Sequence, residues 1–145
     1  MTAETKKMGL LRGLGLAFVG AVLTTGALAA QDAQVNAKGQ LMLTRSCQKC
    51  DLTGADLSRQ DLKAVDLSGA TLVSSSFYRA DLTNANLDGA DLSKANLTFA
   101  DLTNTNFGSV NLTGANLTGA KGAALAAATT TDTTICPDGQ AGPCR

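Results

Sequence analysis

CDLTG (50–54), ADLSR (55–59), QDLKA (60–64), VDLSG (65–69), ATLVS (70–74), SSFYR (75–79), ADLTN (80–84), ANLDG (85–89), ADLSK (90–94), ANLTF (95–99), ADLTN (100–104), TNFGS (105–109), VNLTG (110–114) and ANLTG (115–119) follow one another without an insertion. The third position of these pentads is Leu except at Phe77 and Phe107. A helix turns ~100° per residue, so a mark every five residues steps round by ~140° and draws no stripe. A straight strand alternates faces, so the same mark falls on opposite faces in turn. The chain must therefore bend once per pentad. First and third positions, two apart on a short extended segment, point the same way and are mostly apolar, which sets them inward. The remaining positions are largely Asp, Asn, Ser, Thr, Gly, Lys or Arg, suited to an outer wall and to corners. Gln60, Ser75 and Thr105 are the polar exceptions at the first position.

The composition agrees. The 145 residues include no Trp and no His, one Tyr and four Phe. Without large side chains, enough apolar area to offset chain entropy must come from regular repetition of small ones. With no His, and with carboxylates and hydroxyls that recur as repeat positions instead of converging, the sequence reads as a non-enzyme without a cofactor.

The tandem A-[D/N]-L-x-x pattern over residues 50–119 resembles the pentapeptide-repeat family. The resemblance implies an all-β fold, a right-handed quadrilateral β-helix with four pentads to a square coil. Fourteen pentads then make about 3.5 coils, and at the inter-strand spacing of ~4.8 Å the rod is roughly 17 Å long. The expected organisation is a signal peptide at 1–29, an N-terminal cap at 30–49, the solenoid at 50–121, and a C-terminal cap with a disulfide loop at 122–145.

Lys6, Lys7 and Arg12, an apolar stretch over 13–28, and Ala27-Leu28-Ala29 form the pattern of an export signal, with cleavage expected after Ala29. The competing reading is a retained N-terminal anchor, since the apolar stretch from Gly9 to Ala30 has the ~20 residues a bilayer needs. After cleavage no membrane contact is expected. The destination is periplasmic or secreted, or the thylakoid lumen if the source is photosynthetic. Before the repeats, Val35, Leu41, Met42 and Leu43 are placed to cover the first coil. After them, Ala120 to Ala128 carries Leu125 as its only large apolar residue.

Four cysteines in an exported chain are most simply two disulfides. Because Cys47 and Cys50 lie at one end of the rod and Cys136 and Cys144 near the other, the local pairs are favoured by the ~7 Å reach of the bridge. A redox pair at Cys47/Cys50 and a zinc site of all four thiolates remain alternatives. Haem attachment is disfavoured, because Asp51 stands where that motif has His.

With coils of four pentads, residues twenty apart stack. Asp61, Asp81 and Asp101 then form a column that must be neutralised or hydrogen-bonded, with Arg59 and Arg79 at the adjoining corner; weak divalent-cation binding is the alternative. The same arithmetic sets Arg79 beside Phe99 and Tyr78 diagonal to it, outward on a wall of small polar residues. Arg with aromatics is favoured in contact hot spots, so Tyr78, Arg79 and Phe99 are the candidate protein-contact residues. Cation–π stacking with no partner is the simpler reading.

The best-known members of the resembled family mimic DNA and occupy DNA gyrase. Against that stand the export signal and a repeat region with eight Asp against four Lys or Arg. Without its leader the chain holds nine basic and eleven acidic residues, because three of its twelve cations and one of its twelve acids lie there. That balance gives nucleic-acid binding no electrostatic support. The sequence thus favours an exported structural or protein-interaction module, with the DNA mimic and the redox protein as alternatives.

Overall fold

The computed structural model describes residues 37–144. The signal segment 1–29, its cleavage site and Val35 of the cap lie outside the described residues.

Parallel bridges join residues twenty apart along four walls, which gives the coil its four sides. Wall one runs Ser46, Asp66, Asn86, Asn106; wall two Asp51, Thr71, Asp91, Asn111; wall three Asp56, Ser76, Asn96, Asn116; wall four Asp61, Asp81, Asp101, Lys121. Each rung is a single bridged residue, flanked by a bend every five residues.

The pentad is a complete hydrogen-bonding unit, as its first full copy shows. The amide of Leu52 donates to Thr71 O at 2.8 Å, that of Gly54 to Val73 O at 2.8 Å, and that of Thr71 back to Cys50 O at 2.8 Å. The amide of Ala55 closes a turn onto Leu52 O at 3.0 Å. One amide per pentad remains, that of the fourth residue. It donates to the side chain of the second: Thr53 N to Asp51 Oδ1 at 3.0 Å, Thr98 N to Asn96 Oδ1 at 3.1 Å, Thr118 N to Asn116 Oδ1 at 3.0 Å. Asp or Asn recurs at the second position because its short side chain reaches the amide two residues on.

The fifth residue of every pentad from Lys49 to Gly119 has a positive φ, between 52° and 68°. With the turn bond two residues wide, this is a type II corner, which favours Gly or Asn at that place. Arg59, Arg79, Lys94 and Phe99 occupy it nonetheless.

Third-position leucines fill the axis. Leu52, Leu57, Leu67, Leu72 and their equivalents up to Leu117 are all fully or nearly fully buried, with first-position Ala and Val between them. Each buried Leu contributes about 1.5–3 kcal/mol relative to exposure. Of the polar first positions, Ser75 and Thr105 are buried and donate to Leu72 O at 2.7 Å and Leu82 O at 2.8 Å. Gln60 is exposed.

The ladder is longer than residues 50–121. RSCQK (45–49) is an additional first pentad, in which Ser46 bridges Asp66 and Cys47 takes the inward third position, fully buried. At the other end Thr129 bridges Asn111 and Ile135 bridges Asn116, so the tail supplies two further rungs. The expectation of about 3.5 coils is corrected accordingly. Backbone bonds carry the rungs, and Cys47 and Cys136 bury in the places Leu holds elsewhere, free sulfur or not being a small apolar group.

Helix α1, residues 37–44, covers the first coil. Of its apolar residues only Leu41 is buried; Met42 and Leu43 point to solvent, Leu43 with 87% exposure, contrary to the expectation that all cover the coil. Two described turns of helix seat one narrow stripe, and neighbouring positions turn away from it. Polar side chains close the exposed edge. Lys38 Nζ donates to Asp56 O, and an Arg45 guanidinium nitrogen donates to Lys63 O at 3.0 Å. Charged groups on an open edge of this kind oppose pairing with another chain.

Candidate functional site

The corner between walls three and four stacks Arg59, Arg79, Phe99 and Gly119, one per coil, at the fifth pentad position. Beside them, at the fourth position of wall three, stand Ser58, Tyr78, Thr98 and Thr118. Tyr78 and Phe99 meet edge to face, with ring centroids 6.2 Å apart and planes at 73°. The Arg79 guanidinium carbon lies 5.2 Å from the Tyr78 centroid and 5.8 Å from that of Phe99. The structure thus brings together all three residues that the repeat arithmetic singled out.

Two further residues belong to the cluster. Arg59 lies 6.0 Å from the Tyr78 ring. Gly119 makes room for Phe99: a Cβ built there would stand 2.5 Å from the ring's Cδ1 and Cε1. Its φ of +68° also favours glycine. Gly119→Ala is expected to destabilise the protein by about 1–3 kcal/mol, from left-handed strain and crowding together. It should also turn Phe99 off the corner, seen as a shift of its ring resonances. The signal was available in the sequence, since Gly119 stands twenty residues after Phe99.

The acidic column is paired and hydrogen-bonded, by residues other than the two arginines of the adjoining corner. Arg59 and Arg79 do not neutralise it, because their guanidinium groups lie on Tyr78. Asp61 pairs instead with Arg45 at 3.7 Å and Asp81 with Lys63 at 3.2 Å. Asp61, Asp81 and Asp101 each accept the amide two residues on, at 3.1 Å. Among the described residues no group of three His, Cys, Asp or Glu is placed to hold a metal ion.

These bonds shift several carboxyls in one direction. Asp51 and Asp56 are held below the ordinary aspartate value first by the hydroxyls of Thr53 and Ser58 and then by the same residues' amides. Asp66 is lowered foremost by Gln48, and Asp81 foremost by the Thr83 hydroxyl. A lowered folded-state pKa means stability present above the unfolded value of about 3.9 and lost as pH falls through the folded values. The melting temperature is therefore expected to be flat from neutrality down to about pH 5 and to fall below about pH 4. Thermal scans across that range check it; a fall already complete at pH 5 contradicts it.

The structure joins Cys47 to Cys50 and Cys136 to Cys144, each with Cα atoms 5.4 Å apart. The first bridge lies at the start of the ladder. The second closes the tail loop that carries the Ile135 rung, whose Pro137 O accepts from Gly119 N at 2.8 Å. Pro137, Asp138, Gln140 and Pro143 surround an open depression there of about 590 Å³. Among the described residues no helix is long and apolar enough to cross a membrane.

Stacked four-sided coils with a leucine-filled axis and an aromatic–guanidinium corner define a solenoid scaffold. The comparisons agree: residues 46–79 and 90–121 match pentapeptide repeats, in eight copies. The chain is 36% identical to a pentapeptide repeat protein from the thylakoid lumen of Arabidopsis thaliana, over 69% of this chain and 75% of that one, with a TM-score of 0.53. The protein belongs to the pentapeptide-repeat family. A pentapeptide repeat protein of the cyanobacterium Cyanothece is 28% identical over 70% of this chain and 98% of that one, with a TM-score of 0.49. Another, involved in heterocyst differentiation regulation in Nostoc, is 37% identical over 66% of this chain but 42% of its own length, with a TM-score of 0.41. No curated protein sequence matches the chain.

Proposed function

We propose that the protein is an exported, non-catalytic scaffold that engages another protein through the corner of Tyr78, Arg79 and Phe99, with its ends secured by the Cys47–Cys50 and Cys136–Cys144 disulfides. The corner carries the reading. Phe99 is 51% exposed on walls made largely of small polar side chains, and Arg with aromatics is the side-chain chemistry of contact hot spots. Export is supported by the basic start, the apolar stretch and Ala27-Leu28-Ala29, and by the lumenal location of the Arabidopsis relative. Two cysteine pairs within bonding reach suit an oxidising compartment.

The redox alternative is weakened by burial. Cys47 is fully buried and Cys50 half-buried, and the pair spans a corner of the ladder instead of opening a helix whose N-terminus would activate a thiol. The DNA-mimic alternative is weakened by charge, because Lys63 and Arg45 neutralise two of the three acids in the one continuous acidic column.

The test is light-induced crosslinking in intact cells with a photoreactive residue at Thr98, which lies on the same wall as Tyr78. A discrete crosslinked protein is expected, and the Tyr78→Ser/Phe99→Ser pair should abolish it. Crosslinking unchanged by that pair would refute the contact face. Recovery of the protein only from the cytoplasm, or free thiols in the native exported form, would refute export or the structural disulfides.

A further inference from the structure

Arg59 and Arg79 are two cations that no acid of the described residues pairs with. Both are exposed, and both guanidinium groups rest on Tyr78, at 6.0 and 5.2 Å. Neither makes an ion pair or a side-chain hydrogen bond among the described residues. The nearest acids are engaged elsewhere: Asp61 with Arg45 and the Lys63 amide, Asp81 with Lys63 and Thr83. A guanidinium stacked on a ring keeps its planar edge of N–H donors free, and that fork matches a carboxylate. The two sit one coil apart on an ordered backbone, so the arrangement is preorganised and costs little to fix on binding.

Resting on the contact-surface reading above, we infer that the Arg59–Arg79–Tyr78–Phe99 corner recognises an acidic protein segment, with a carboxylate across the two guanidinium groups and an apolar neighbour on the exposed Phe99 ring. Charge complementarity selects this occupant. A polyanion such as nucleic acid needs cations along the whole rod, but the corner carries only two, Phe99 and Gly119 taking the next two places, and Arg45 and Lys63 on the adjoining wall are already paired with Asp61 and Asp81. A single carboxylate at the corner meets only the two cations. Both arginines and Phe99 are exposed, so a longer segment with an apolar contact on that ring supplies affinity that a lone small anion open to solvent lacks.

The experiment measures binding of a short fluorescein-labelled peptide carrying Glu-Phe-Glu between Gly-Ser flanks to the purified exported protein, by fluorescence anisotropy. Its Gln-Phe-Gln counterpart and a short DNA duplex are run beside it. The Glu peptide is expected to bind at least on the order of tenfold more tightly than either, and more weakly as salt rises. Arg59→Lys/Arg79→Lys keeps the charge and removes the fork, and it should weaken the Glu peptide by on the order of tenfold with no loss of melting temperature. Equal binding of the Glu and Gln peptides, tighter binding of the duplex, no binding of any probe, or an unchanged affinity in the Lys variant each overturns the inference. Crosslinking from position 98 keeps the two readings apart. If it survives Arg59→Gln/Arg79→Gln but not Tyr78→Ser/Phe99→Ser, the contact face stands and acidic recognition falls.

Discussion

Phe77→Ala is expected to lower the unfolding free energy by about 3–5 kcal/mol, the cost of emptying a fully enclosed aromatic site. Phe77 has no exposed surface and lies on the axis between Leu57 and Leu97, its equivalents one coil below and above. The hole cannot close by collapse. The backbone at Phe77 is fixed by its amide on Asn96 O at 2.7 Å and by the amide of Ala80 on Phe77 O at 2.9 Å, and the neighbouring coils are held by equivalent bonds. Closing the cavity would break the ladder, so the loss should reach the upper part of the range. Phe77→Leu returns the pentad to the common pattern and should cost less than about 1.5 kcal/mol. Urea titration of both variants decides the matter. A loss under about 1.5 kcal/mol for the Ala variant would mean that the coils can adjust their spacing, against the rigidity argued here.

The pentad register was the legible part of this molecule because it follows from geometry that any five-residue repeat must obey. Inward Leu at the third position and small residues at the first follow from alternation alone, whereas the stacking at twenty residues that places Tyr78, Arg79 and Phe99 together follows from the four-pentad coil that the family resemblance implies. What the register could not convey is where side chains at a positive-φ corner turn. Arg59 and Arg79 stand two residues before Asp61 and Asp81, at the corner adjoining the acidic column, with both a carboxylate and a ring in reach. The left-handed corner instead aims both toward the Tyr78 column, and Lys63 and Arg45 serve the acids. A cation has a choice between ring face and carboxylate that spacing does not decide.

The ends were illegible for another reason. Cys47 and Cys136 stand in Leu positions, and a cysteine read only as a staple hides the pentad around it. Thr129 and Ile135 follow their partners Asn111 and Asn116 by fewer than twenty residues, so they have lost the register although they keep the bonds. Gly122 shows what the shortened path demands. A Cβ there would lie 2.6 Å from Thr103 Cα, so the chain crosses directly against the preceding coil before Leu125 tucks into the end of the axis.

That shortened path matters because it covers an edge, and removing it should be the second large perturbation. A chain ending at Lys121 is expected to associate in a concentration-dependent way and to lose about 5 kcal/mol of stability or more, five unmade backbone bonds contributing about 1 kcal/mol each and exposed leucines the rest. The amides of Leu112, Leu117 and Gly119 now donate to Thr129 O, Ile135 O and Pro137 O, each at 2.8 Å. Without the tail they form an open parallel edge above a buried row of Leu112 and Leu117, a template for a second chain. Ile135→Pro provides the milder version, because it deletes only the donor that binds Ala115 O at 2.8 Å and leaves the chain length unchanged. Sedimentation at several concentrations should show the truncated rod as dimer or larger and the Ile135→Pro variant in between. A truncated chain that stays monomeric and melts where the full protein does would show that the tail rungs contribute nothing, and that the fourteen regular pentads stand by themselves.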